Sequence, residues 1–169
     1  MTRRMSCSMT KDSVIDGTKT VTRRHIDSWK TLKPGDHLIL IEKGMGLKLG
    51  EKQRILATVE VTDVRHEWVD DILYHRSDQT ITAAEGLPHM TVPEFVDFWM
   101  AGHGYKGHDP EGVACRRIEW KYLTRVCPEC SNRFEGRMPG HKYGSSWSWV
   151  PCQTCCGAGF VDHVKVVPL

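Results

Sequence analysis

The apolar positions of the chain fall into short runs of two different periods. Met5, Cys7 and Met9 alternate with polar neighbours, the spacing of a short first strand. Thr10 then offers a helix N-cap and Gly17 a C-terminal stop, which predicts a short helix over 11–16. The continuous run Leu38-Ile39-Leu40-Ile41 predicts a strand over 37–42. Ile55, Ala57, Val59 and Val61 alternate with Leu56, Thr58, Glu60 and Thr62 as another, and Gly44, Gly46 and Gly50 mark a flexible connection between the two. Helical spacing replaces alternation at Val69, Ile72 and Leu73 and again at Val92, Phe95, Val96 and Trp99. Ile118, Trp120 and Tyr122 then alternate with Arg117, Glu119 and Lys121 as a half-buried closing strand. Trp68, Trp99 and Trp120 each accompany one of these patterns and are expected in the core or at its edge. Strands, connecting helices and strands again predict an α+β domain whose alternation suits a small β-barrel with flanking helices.

Composition adds limits. A chain of 169 residues, 40% hydrophobic and 26% charged, has room for one ordinary core and a small appendage. No apolar run follows Arg3 and Arg4 and nothing later approaches a membrane span, so a soluble, cytoplasmic chain with no membrane partner is expected. The net charge of +2 conceals an asymmetry: residues 1–36 hold eight Lys/Arg against four Asp/Glu, and residues 37–122 ten against fourteen. A local positive surplus suits an anionic ligand, whereas so small a net charge argues against broad, sequence-blind binding to duplex DNA.

That surplus is concentrated in Gly17-Thr18-Lys19-Thr20-Val21-Thr22-Arg23-Arg24. A glycine that permits a sharp turn, followed by hydroxyls mixed with fixed cations, presents donors that match phosphate oxygens or a nucleobase edge. Lys19, Thr20, Thr22, Arg23 and Arg24 are therefore the candidate ligand contacts; the plain alternative is a solvated basic loop.

The seven cysteines divide unevenly, with Cys7 and Cys115 single and five crowded into Cys127-Pro-Glu-Cys130 and Cys152-Gln-Thr-Cys155-Cys156. Two residues between thiolates let each pair wrap one ion, and two such knuckles complete a tetrahedral zinc shell. An odd total and no secretion signal weaken a disulfide alternative. Structural Zn2+ on Cys127, Cys130, Cys152 and Cys155 is the expectation, with Cys156, His141 and His163 as substitutes. The chain thus divides into a domain over 1–123 and a zinc-ribbon extension over 124–169, in which Val161, Val164 and Val166 suggest a returning strand. The second knuckle, continuing Gly157-Ala158-Gly159, resembles one repeat of the DnaJ chaperone zinc domain over eight residues, which implies metal binding only.

A wider resemblance rests on five separated motifs: 17–24, the turn Lys33-Pro34-Gly35-Asp36 into a strand, Val59-Glu60-Val61-Thr62-Asp63-Val64, Glu85-Gly86, and Met90-Thr91-Val92-Pro93-Glu94-Phe95. In this order they resemble the ASCH family over residues 5 to 123. The resemblance implies a PUA-like β-barrel with a cleft for RNA or a modified nucleoside, a form that small phage proteins often carry. Some bacterial members are N4-acetylcytidine amidohydrolases using a lysine, a threonine and a glutamate, which would here be Lys19, Thr22 and Glu85. In that chemistry a threonine hydroxyl needs a base to take its proton, and a lysine serves if its pKa is lowered. Three readings stand: a binding module for RNA or a nucleoside, an amidohydrolase, and a phage-type module whose ribbon binds a protein partner. Under the first, Lys19 and Thr22 hold a phosphate while Glu85 caps a helix or pairs with an arginine.

Overall fold

The computed structural model describes residues 3–126 and the backbone of 160–162. The cysteine knuckles, His141, His163, Val164 and Val166 lie outside the described residues. The fold is α+β, as the two periods of the sequence require: among the described residues six strands form a mixed sheet, β1 (Arg3–Ser6), β2 (Val21–His25), β3 (His37–Ile41), β4 (Ile55–Trp68), β5 (Ala114–Val126) and β6 (Phe160–Asp162). The strand order is β1-β3-β4-β5-β2, with β6 on β5. The α-helices among the described residues are α1 (Lys11–Asp16), α2 (Val69–Leu73), α3 (Gln79–Ala84) and α4 (Val92–Gly102). No helix among the described residues is long and apolar enough to cross a membrane.

The chain forms two compact units, one of residues 1–17, 38–59 and 122–169, the other of 18–37 and 60–121. In the first, β1 runs parallel to β3 with Met5 opposite Leu40. Met5, Val14, Leu38, Leu40, Ile41, Leu56 and Val59 are its largest fully buried side chains. Gly17 ends α1 at φ 78°, its N–H returning to Val14. A Cβ there would also stand 3.3 Å from the Arg125 guanidinium, which donates to the Ile15 carbonyl at 2.7 Å. Glycine is thus required twice, for the left-handed backbone and for the close approach. The alternation of Met5, Cys7 and Met9 ends early: the first two are buried, but a 3-10 turn over Ser8–Thr10 leaves Met9 72% exposed. Thr10 sits at the N-cap of α1 without a side-chain capping bond. Strand β6 runs antiparallel to β5 with Val161 opposite Arg125.

In the second unit β2 pairs antiparallel with β5, from Val21 opposite Glu119 to His25 opposite Cys115. Val69 and Ile72 of α2 share an apolar core with Val92, Phe95, Val96, Trp99 and Met100 of α4 and with Leu87 and Cys115, and the partly buried Ile81 of α3 packs against it. Helix α4 opens on a capping box, Thr91 accepting from the Glu94 N–H while the Glu94 side chain accepts from Thr91. The strand over Ile55 to Thr62 extends to Trp68 in β4, and past Val61 its residues lose their alternating burial. Trp68 is accordingly 52% exposed and not a core residue, because the strand there has no buried face. Trp99 and Trp120 are buried, as expected.

Candidate functional site

The site begins with the end of a short helix. Asp78 caps α3 by accepting from the Thr80 N–H, and the helix closes on Glu85 and Gly86. The Gly86 N–H donates to Ala83 and the Leu87 N–H to Thr82, the paired bonds of a Schellman motif, with Gly86 at φ 80°. Glu85 is therefore the helix C-cap, fixed in place by the glycine that follows it. The Thr20 N–H donates to the Ala84 carbonyl at 2.9 Å, and the Thr20 carbonyl accepts from the Trp120 N–H at 3.0 Å. This peptide lays the 17–24 motif across the helix end, leaving the Thr20 side chain exposed.

Lys19 consequently reaches Glu85 twice. Its ammonium donates to the Glu85 backbone carbonyl at 2.5 Å and to carboxylate Oε2 at 3.2 Å. Both residues are below 5% exposed. A cation at a helix C-terminus meets the carbonyls that lack partners there, so the contact is favourable on both counts. The ammonium also lies 5.8 Å from the centre of the Trp120 ring.

Arg23 supplies the second half. Its Nη1 donates to Glu85 Oε1 at 3.0 Å, and its Nε and Nη2 form a fork on the Glu67 carboxylate at 2.5 and 3.1 Å. Burial by itself would lower the pKa of Arg23, but the Glu67 hydrogen bonds and the charges of Glu85 and Glu67 outweigh it and hold the guanidinium above its ordinary value. Two cations thus face two carboxylates, the balance that buried charge requires. The Trp99 indole N–H donates to the Arg23 carbonyl at 3.1 Å.

Of the residues marked in the sequence, Lys19, Arg23 and Glu85 meet in one cluster. Thr22 is buried nearby in β2, opposite Ile118. As the strand neighbour of Arg23 it directs its side chain to the other face, and no hydrogen bond joins it to Lys19 or Glu85 among the described residues. Arg24 is half-buried and Thr20 exposed. Glu67 escaped the sequence reading, since its partner lies 44 positions away in the chain and no local pattern marks it. Among the described residues no group of three or more His, Cys, Asp or Glu is arranged to hold a metal ion.

Chemically, the cluster sets a buried ammonium in direct contact with a carboxylate. Glu85 has acceptor oxygens and Lys19 donors, a pairing complementary to groups that carry both an amine and a carbonyl.

No family model matches the chain, and no curated protein matches it. Solved structures resemble it. Protein EF3133 from Enterococcus faecalis V583, described by the family model DUF984, is 17% identical with a TM-score of 0.46, over 72% of this chain and 78% of its own. The hypothetical protein PH0355 is 18% identical with a TM-score of 0.47, over 73% of this chain and 100% of its own. A point mutant of ZmASCH from Zymomonas mobilis is 6% identical with a TM-score of 0.44, over 86% of this chain and 85% of its own. At these scores the neighbours carry nothing about function to this chain.

Proposed function

We propose that this chain is an ASCH-type module that binds RNA or a modified nucleoside, with the base edge held at Lys19 and Glu85. The observation that carries the reading is the buried ion cluster itself. Charged side chains this deep cost desolvation that apolar residues of similar size avoid, so a buried ion cluster of this kind marks a candidate functional site. Arg23 holds Glu85 in position, and half-buried Arg24 supplies a fixed cation for a phosphate. Titration calorimetry with cytidine and N4-acetylcytidine tests this. Binding that weakens at least about tenfold in Lys19→Met and Glu85→Gln supports it, as expected when a buried polar partner is lost. Equal binding by both variants and the wild type overturns it.

A second reading follows from the 3.2 Å contact between the Lys19 ammonium and the Glu85 carboxylate. Such a pair can pass a proton, as hydrolysis of an N-acyl cytidine requires. In that reaction water adds to the acyl carbon, the C–N4 bond breaks and the proton given up by the water reaches N4 through Lys19, since Thr22, on the other face of β2, is not positioned to attack. Release of cytidine from N4-acetylcytidine, followed by chromatography, separates turnover from binding. We propose further that Cys127, Cys130, Cys152 and Cys155 hold one structural zinc, on the strength of their spacing.

A further inference from the structure

Beyond the ion cluster, β2 delivers His25 into a group of aromatic rings. The Trp99 ring, whose N–H is bonded to Arg23, lies under His103 with centroids 4.0 Å apart and planes within 19°. His25 is within 18° of parallel to His103 and within 7° of parallel to Tyr105, at 6.4 and 6.1 Å. A hydrogen bond of 3.1 Å between His25 Nε2 and the Tyr105 hydroxyl holds the edges of those two rings together. Four rings thus share nearly one orientation. Trp99 is buried beneath, whereas His25, His103 and Tyr105 keep part of their surface in solvent.

Two independent features adjoin these rings. Tyr105 is also a wall of a groove of about 440 Å³ between α4 and the 105–110 loop, with Phe98, Met100, Lys106 and His108 among its other linings. That volume lies in the range of small-molecule sites. Positive charge lies alongside: Arg24 acts on His103, and Arg116 donates to the Ile26 carbonyl at 3.0 Å just beyond β2. Burial first, and then Arg24 and His25, lower the His103 pKa, so at neutral pH it presents a neutral imidazole ring.

We propose that His25, His103 and Tyr105, with the groove onto which Tyr105 opens, stack the bases of a single-stranded nucleic acid next to the nucleoside held at Lys19 and Glu85. Aromatic faces beside a basic edge are what sequence-tolerant single-strand binding uses, because every base has a π-face and every link a phosphate. The proposal rests on the nucleoside-binding reading and extends it from one base to a strand.

The test compares cytidine with tricytidylate, the latter in ribose and deoxyribose forms, by calorimetry on the full chain. Wild-type protein is expected to bind the trinucleotide at least about tenfold tighter than cytidine, the gain that a stacked base supplies. Tyr105→Leu should remove most of that gain with cytidine affinity unchanged, and Tyr105→Phe, which keeps the ring, should retain it. A gain common to both sugars assigns the surface to single strands in general, and a gain confined to ribose assigns it to RNA. A Tyr105→Leu protein that keeps the whole gain overturns the proposal. If that variant fails to fold, wild-type binding of a trinucleotide abasic at two positions decides: affinity equal to that of tricytidylate overturns the proposal, and loss of the gain supports it. Cytidine binding without any trinucleotide gain removes the stacking surface alone, whereas absence of cytidine binding removes the reading beneath it.

Discussion

Arg23 exists in its buried place only because carboxylates surround it. Its guanidinium spans Glu67 and Glu85 and lies 5.8 Å from the Phe95 ring centre. Removing one member of a buried ion pair leaves the others charged and unpaired, so Arg23→Met is expected to cost about 3–5 kcal/mol. Urea denaturation measures the loss, and Glu67→Gln added to Arg23→Met should recover part of it. Cys115 illustrates the opposite treatment of an ionisable group. Fully buried beside Arg23, Glu67 and Glu85, its thiol pKa is pushed up to about 12, chiefly by burial. At pH 8 iodoacetamide should leave Cys115 unmodified in native protein and alkylate it in urea, as mass spectrometry of the peptides will show.

At the scale of the element, the site depends on how α3 stops. Gly86 at φ 80° has no L-residue equivalent without strain, so Gly86→Ala should cost about 1–2 kcal/mol and loosen Glu85 from Lys19. Urea midpoints measure the first effect and cytidine affinity the second. Helix α4 offers a pH signature. Hydrogen bonds from the Thr91 N–H and hydroxyl hold the Glu94 carboxyl below its ordinary value of 4.5. The folded chain therefore binds that proton less readily than the unfolded one. The capping contribution is complete above 4.5 and is lost as pH falls. The stability difference between wild type and Thr91→Ala, followed in urea from pH 7 to pH 3, should shrink towards the acid end.

The same comparison shows which elements the sequence announces. Helix α1 carries its stop at Gly17, β3 its unbroken apolar run, and α4 its capping residues and apolar stripe. Helix α3 carries no such stripe: Gln79-Thr80-Ile81-Thr82-Ala83-Ala84 has one large apolar residue, and only its ends, Asp78 and Gly86, signal a helix. Lys19 and Glu85 were legible as candidates through motif resemblance. Their contact and the Glu67 fork were not, because register between distant segments sets them.

At the scale of the whole molecule, metal is the open chemistry. Elemental analysis of the purified chain is expected to find about one zinc per chain, and Cys152→Ser should release it. A wild-type protein that folds fully without metal would sink the assignment.

The peptide at Thr20 has a further consequence. The Thr20 N–H donates to the last turn of α3 and the Thr20 carbonyl accepts from the Trp120 N–H of β5, so any excursion that lifts α3 away from residue 20 must break the bond of the Thr20 N–H. Solvent deuterium entering at residue 20 would then count openings of the cluster directly, without any ligand present. A molecule lodged between Lys19 and Glu85 would slow that clock, so a single backbone amide registers occupancy of a place hidden from solvent.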